Sequence, residues 1–528
     1  MKKIILALVA FMFVLGMTQC KKEQPTNVST DEGEIVYITM KVADDGAKHT
    51  VYPGTGAVVY GDGDVIYVGN NGHYVGTLTY ANGAFSGSIT SPSPSDYLHF
   101  YFTGGKTPAT APTAGSTESF TVSIADQSTN LPVLSYGRSN IKYVDGTTAY
   151  TCMLENKCGL VKFVPSQATP NPITVSGMKT TATINFATPG ITPTDATSAV
   201  TLYSVSNSEK WAILLPQEEV TTATAIVPDF VNTTSFIVPT ITSNCYLNGG
   251  IAMNLAAIPE GAIKGLFSVS ATKKVFFSKG NLQYNKSNGK WSFMEHQYDV
   301  VETEYQGVGN NYASQNVISL FGWGTSGYNH GAKCYQPWST SSTASDYYAY
   351  GVENNNLYDE DGKADWGYNA ISNGGDTENS GWRTLTGGTN SEWNYLINRS
   401  TTSGIRFAKA IVNGVNGVIL LPDNWTASTY VLNSTNTPNA DFTTNTITAD
   451  DWTNILEDNG AVFLPAGGLR YFSSEIGVVG TQGRYWSSSY SYNGNALLLT
   501  FRSDYLGTTT YNLSCCYGCL VRLVRDAN

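Results

Sequence analysis

Charge is scarce in this chain. Only 13% of its 528 residues are Asp, Glu, Lys or Arg, and no stripe of Lys and Arg exists to neutralise a phosphate backbone, so nucleic acid is not an expected partner. Histidine is scarcer still. His49, His73, His99, His296 and His330 are dispersed, none beside a Ser or Cys in a nucleophile motif, so no triad can be composed. Cysteine does not form a framework either: apart from Cys20 there are seven, an odd number scattered unevenly. Cys515, Cys516 and Cys519 have a spacing that suits zinc thiolates, but no matching Cys or His pair supplies the other ligands. Buried thiols, or one local disulfide, are expected there. After residue 20 no apolar run is long enough to cross a bilayer.

The one long apolar run comes first. Lys2 and Lys3 precede Ile4 to Leu15, and Gly16-Met17-Thr18-Gln19-Cys20 follows. The run fits a secretory h-region rather than a membrane span. A cysteine directly after it is the mark of a lipoprotein signal, with residues 1–19 removed and Cys20 acylated. Several acyl chains at one site give stable anchoring where one is marginal. The polar residues 20–33 then read as a tether from an outer membrane. Removing residues 1–19 takes away two lysines and no acid, which moves the net charge from −11 to −13.

What the chain does have is Gly (52), Tyr (33) and many Thr, Ser and Asn. β-branched and aromatic residues suit strands, and Gly and Asn suit turns. The length allows about three domains. From Glu34 short strand patterns alternate with turns, including Val65 to Val68, Tyr74 to Tyr80 and Ala84 to Ile89. Asn82-Gly83 between the last two is a hairpin signal, because both central residues of such a turn need positive φ. Residues 103–116 look like a long loop. Strand patterns resume at Phe120 to Ile124, Tyr150 to Leu154, Gly159 to Val164, Thr181 to Phe186, Trp211 to Leu215 and Ser235 to Thr240. Strands at this spacing suggest β-sandwiches.

Four phrases in this half carry a resemblance: Gly63-Asp64-Val65-Ile66-Tyr67, Lys157-Cys158-Gly159-Leu160-Val161-Lys162-Phe163, Ala212-Ile213-Leu214-Leu215-Pro216-Gln217 and Asn248-Gly249-Gly250. In this order and spacing they resemble the fimbrillin family, pilus subunits and associated proteins of Bacteroidota. The resemblance implies two tandem transthyretin-like β-sandwiches, at 34–145 and 146–262, and other fimbrial subunits as partners. It also implies assembly by strand exchange after an arginine-directed trim. No arginine precedes Arg138, so an accessory or tip position is expected rather than a stalk position.

From about residue 263 the texture changes. Thr448, Asp450 and Asp451 open a short helix with Trp452, Ile455 and Leu456 on one face and Gly460 placed to end it. Ser391 and Glu392 open another, with Trp393, Leu396 and Ile397 together. Both Trp residues read as core anchors. Phe277 to Tyr284, Phe321 to Gly327, Trp366 to Gly375, Ala461 to Arg470, Gly483 to Ser489 and Gly518 to Arg525 complete the pattern. These phrases resemble the Fibrobacter succinogenes major paralogous domain, within the C-type-lectin-like and formylglycine-generating-enzyme fold. The expectation is therefore a mainly β chain that ends in an α+β C-type-lectin-like domain at 263–528.

Three chemistries can be weighed on that fold. Formylglycine-generating enzymes use a copper-binding cysteine pair, and neither the spacing nor the position of Cys515, Cys516 and Cys519 matches it, so no enzyme is expected. Calcium prefers hard oxygens and a tight turn, which Asp359, Asp361, Gly362 and Asp365 offer, although not in the register of an EF-hand; a solvated acidic turn is the plainer reading. Trp338, Trp425, Tyr490, Tyr492, Tyr505 and Tyr511 lie among Ser, Asn and Gly, a composition used by binding surfaces. The expected function is a surface lipoprotein adhesin that meets a glycan or protein through this last domain, with stand-alone glycan or peptide capture as the alternative.

Overall fold

The computed structural model describes residues 34–43, 53, 60–90, 92–302, 312, 315–350, 355–401, 403–472, 475–507 and 511–527. The expected signal, Cys20 and tether lie outside the described residues. The chain is mainly β.

The first strands close on themselves. Tyr97–Phe102, Val65–Asn70, His73–Ala81, Ala84–Thr90, Ile35–Val42, Ala149–Cys152 and Ser135–Lys142 pair in that order, and Ser135–Lys142 returns to pair with Tyr97–Phe102. All pairs are antiparallel except Ile35–Val42 with Ala149–Cys152. The hydrogen bonding of these strands forms a ring, which leaves fewer free edges. Two strands outside the expected set, Tyr97–Phe102 and Ser135–Lys142, make that closure. Ile38, Met40, Ile66, Leu78, Phe85, Phe100 and Phe102 fill the interior. The hairpin at Asn82-Gly83 has φ of 53° and 84°, as its turn requires.

Behind the ring stands a sheet whose two central strands are buried on both faces. It comprises Tyr203–Ser206, Glu209–Leu214, Gly159–Pro165 and Tyr246–Met253. Leu160, Trp211 and Ile213 pack toward Tyr101, Phe120 and Phe186 beside the ring. Val161, Phe163, Ala212 and Leu214 pack against a second sheet through Val175, Val200, Ala225 and Leu255. Two-sided burial explains why Ala212 to Leu215 is an unbroken apolar run rather than an alternating one. The buried Gln127 amide serves as a substitute strand edge, accepting from Ile213 N at 2.8 Å and donating to Ile213 O at 2.7 Å.

Ala256, Leu266 and Phe276 join this unit to the C-terminal part. There, one large core gathers Phe277, Trp323, Trp366, Trp393, Trp486 and their neighbours. Strand Leu523–Asp526 is hydrogen-bonded on both sides, to Lys274–Phe277 and to Trp382–Thr384. The two helical signals are realised. Ser391 Oγ accepts from Asn394 N at the head of Glu392–Asn398. Thr448 Oγ1 accepts from Asp451 N at the head of Ala449–Asp451, which continues as a π-helical turn, Trp452–Glu457. Gly460 follows at φ 88°. Trp393 and Trp452 are fully buried.

Candidate functional site

The C-terminal sheet is built from Gln482–Tyr490, Asn495–Arg502, Tyr505–Gly507 and Asn512–Ser514, all antiparallel. Alternation buries Gly483, Tyr485, Leu499 and Phe501, while Gln482 and Arg484 remain half-buried and Arg502 exposed. A two-residue turn at Ser503-Asp504 brings Tyr505 opposite Arg502. Arg502 Nε donates to Asp504 Oδ1 at 2.5 Å, and its guanidinium lies 6.0 Å from the Tyr505 ring centre. Gly507 leaves the room in which the Tyr505 ring lies; a Cβ there would collide with the Tyr505 hydroxyl.

From Tyr505 the aromatic surface continues. The Tyr505 and Tyr511 rings are 6.2 Å apart. The Arg484 guanidinium lies 5.8 Å from the Tyr511 ring centre, a cation–π distance. Arg484 is near enough to Tyr517 to oppose, in part, the rise that burial imposes on that phenol's pKa. Tyr517 packs in turn against Phe472, with ring centres 4.7 Å apart, and edge-on against Tyr471 at 6.0 Å. Phe472 is 42% exposed and holds φ of 46°. A bulky residue in the left-handed region is uncommon, and such positions concentrate at functional sites. Together these residues form an open band of tyrosines and a phenylalanine with an arginine at its centre.

The sequence expectations fall on both sides of this band. Tyr505 and Tyr511 belong to it. Tyr492 is 57% exposed, but it sits in the turn before Asn495, away from those ring contacts. Trp338 is also exposed and belongs to another face, against Tyr284 at 5.7 Å. Two expectations need correcting. Trp425 is 2% exposed and packs with Trp452 and Phe463. Tyr490 is 8% exposed, lies 5.8 Å from Trp323, and accepts from Gly494 N. Neither has an open ring face to offer a ligand. Trp425 stands among turn residues, and Tyr490 ends a strand in which the preceding Ser487, Ser488 and Ser489 are themselves buried.

Arg484, Phe472, Tyr471 and Tyr517 were not among the sequence candidates. The alternation around Gly483-Arg484-Tyr485 could have placed Arg484 outward. Nothing local signals that the hairpin Leu469–Tyr471 with Glu475–Gly477 brings Phe472 beside Tyr517.

The sequence reads Asp359, Asp361 and Asp365 as a solvated acidic turn with calcium as the second possibility, and Asp365 does not lie in solvent. Asp365 is buried and accepts from Gly367 N, Thr384 N and Thr384 Oγ1, each at 2.9 Å. Burial raises its pKa, and these hydrogen bonds oppose the rise. It caps the turn Trp366–Tyr368 and ties that turn to Trp382–Thr384. Asp359 accepts from Asn356 N, and Asp361 sits 3.9 Å from Lys363 Nζ. Among the described residues, no three His, Cys, Asp or Glu side chains converge as a metal site would require. The thiols of Cys515, Cys516 and Cys519 are free and buried, and burial pushes Cys519 up to about 12 and raises Cys515 strongly. Such thiols are unreactive.

No known family model matches the chain, and no curated protein matches it. Among solved structures, it is similar to a fimbrial protein from Bacteroides ovatus ATCC 8483, at 10% identity over 94% of this chain and 99% of that one, TM-score 0.24. It is also similar to a candidate cell adhesion protein from Bacteroides uniformis ATCC 8492, at 17% identity over 37% of this chain and 81% of that one, TM-score 0.27. The fimbrial anchor protein Mfa2 from Porphyromonas gingivalis matches at 10% identity over 36% and 76%, TM-score 0.22. At these scores the likeness carries no functional argument. Function has to be read from the chain's own residues.

Proposed function

We propose that this protein is a surface adhesin, held to the outer membrane through acylated Cys20, that recognises a glycan through the band around Tyr505, Tyr511, Arg484, Tyr517 and Phe472. The observation that carries this reading is the band itself. Five aromatic rings stay exposed or half-exposed in two contacting groups, Tyr505 with Tyr511 and Tyr517 with Tyr471 and Phe472, which Arg484 bridges, while the neighbouring tryptophans are fully buried. Contiguous apolar surface kept in water marks interaction sites, and rigid rings beside amide groups give contact area with hydrogen bonding at little entropic cost. Binding is the use that exposed rings around one cation suit best. The lectin-like and transthyretin-like folds named by the sequence resemblance remain part of this reading.

An accessory or tip position in a fimbria-like assembly is the favoured setting. Strand Leu523–Asp526 is paired on both sides and so is not free to be donated to a neighbouring subunit. The test uses the mature full-length protein on a glycan array. The expected result is retention of a defined set of glycans, lost in the Tyr505→Ala/Tyr511→Ala double variant and kept in Tyr492→Ala. Silence across host and plant glycans would remove the reading. Mass spectrometry of the mature amino terminus checks acylation at Cys20. Shearing surface fibres and finding the protein absent from them would remove the assembly setting.

A further inference from the structure

Arg484 is the cation at the centre of the band. Arg383, Arg399 and Arg502 pair with carboxylates, whereas Arg406, Arg470 and Arg522 donate to backbone carbonyls or to Gln297 inside the fold. Among the described residues no carboxylate pairs with Arg484. Its hydrogen bonds are two, from Nε at 3.3 Å and Nη2 at 2.9 Å, and both reach the single Oε1 of Gln482. A guanidinium carries five N–H donors, so most of this one's hydrogen-bonding capacity is unused. The side chain is half-buried, and Gln482 together with the Tyr511 ring holds it in place. A planar fork held in this way is pre-organised for a carboxylate or sulfate, which it can grip through two parallel bonds.

We propose that the band binds an anionic saccharide chain, with Arg484 receiving its acidic group and the flanking rings of Tyr511, Tyr505 and Tyr517 receiving the C–H faces of adjoining sugars. This rests on the glycan-binding reading above and goes beyond it by naming the ligand's charge. The chain as a whole carries −11, so a diffuse attraction for polyanions is absent and recognition has to be local. An acidic peptide would share the charge. The band offers exposed rings and phenol hydroxyls, to which the C–H faces and hydroxyl groups of a sugar are complementary, which favours sugar.

The experiment titrates the mature full-length protein with matched pairs of probes: oligogalacturonate and its methyl ester, 3′-sialyllactose and lactose, and a heparan oligosaccharide with its desulfated form. Poly-L-glutamate serves as the peptide arm. Wild type, Arg484→Gln, Arg484→Lys and Tyr505→Ala/Tyr511→Ala are compared, and their thermal midpoints establish that each is folded. The expected result is that in at least one pair the acidic member binds ten times or more tighter than its neutral partner. Arg484→Gln erases that difference, Arg484→Lys restores part of it, and added salt diminishes it. If both members of every binding pair bind alike and the tyrosine double variant abolishes both, the anionic proposal fails and the glycan reading stands. If no probe binds, or the double variant changes nothing, both fail. If poly-L-glutamate binds with the same dependence on Arg484, the ligand is an acidic protein and the saccharide proposal is overturned.

Discussion

Lys409 Nζ donates to the carbonyl of Arg502 at 2.6 Å and to that of Ser503 at 2.9 Å. Its side chain is buried, and it comes from a different sheet, on strand Phe407–Val412. One ammonium thus pins the turn that presents Tyr505. The link runs from a core strand to the end of the band, and it gives the tyrosine a fixed platform although its own strand has only three residues.

Replacing this lysine should therefore affect binding at a distance. In Lys409→Met the two carbonyls lose their charged donor, each bond contributing about 1.5–3 kcal/mol, while the stem is kept at similar volume. The turn loosens, and affinity for any ligand of the band falls several-fold. Melting and near-ultraviolet circular dichroism should remain those of a folded protein. An unchanged affinity in a variant whose turn amides exchange faster would show that Tyr505 does not need the platform.

The same lysine gives a pH dependence with a defined sign. Burial pushes its pKa down to about 8, with Asp504 and Asp441 opposing that fall. The unfolded chain therefore holds a proton on this residue that the folded chain releases between about pH 8 and the ordinary lysine value. Stability from this group rises with pH across that window, because the unfolded state binds more protons there. Below pH 8 both states are charged and the burial penalty is fully present. Other groups titrate at alkaline pH, so the measurement is a difference: urea unfolding of wild type and Lys409→Met at pH 7.5 and pH 10. The wild type should gain relative to the variant as pH rises. A relative loss would contradict the sign.

Local chemistry made part of this structure legible in advance. Asn82-Gly83, the caps at Ser391 and Thr448, and the glycine at 460 are short-range signals, and each appears where its φ angles and hydrogen bonds require. Ring closure was not legible, because Tyr97–Phe102 and Ser135–Lys142 meet across an intervening segment that contains the long loop. The candidate site was half legible for the same reason. Tyr505 and Tyr511 stand among turn residues and look exposed. Trp425 and Tyr490 look alike in sequence but are packed into the core, and Phe472 and Tyr517 become neighbours only through tertiary pairing. Burial is decided by what arrives from elsewhere in the chain, and a residue's own neighbours do not report it.

The buried helices give a stability prediction. Trp393 and Trp452 are fully buried and belong to separate cores. Replacing either by alanine should cost about 3–5 kcal/mol. Ser391→Ala, which removes the cap to Asn394 and the bond that Ser391 Oγ donates to the Gly388 carbonyl, should cost about 1–2 kcal/mol. Denaturant unfolding compares them, and Trp452→Ala should leave the environment of Trp393 unchanged, since the two rings lie in different clusters. A cost near 1 kcal/mol for both tryptophans would mean that they are peripheral.

Asp365 separates a structural carboxylate from a calcium ligand by experiment. Its oxygens already accept from two backbone N–H groups and one hydroxyl, so Asp365→Ala leaves three buried donors without a partner, each worth about 1–3 kcal/mol. A loss of several kcal/mol in calcium-free buffer is expected, with the turn at Trp366–Tyr368 released from Trp382–Thr384. Asp361→Asn, exposed and paired only loosely with Lys363, should cost almost nothing, as isolated surface pairs do. Millimolar calcium should move the thermal midpoint of neither variant nor of the wild type. A rise of several degrees on adding calcium to wild type, abolished in Asp361→Asn, would restore the acidic loop as a metal site. In that event Asp365 would still be doing its work from behind the loop, since its hydrogen bonds leave it no free face toward an ion.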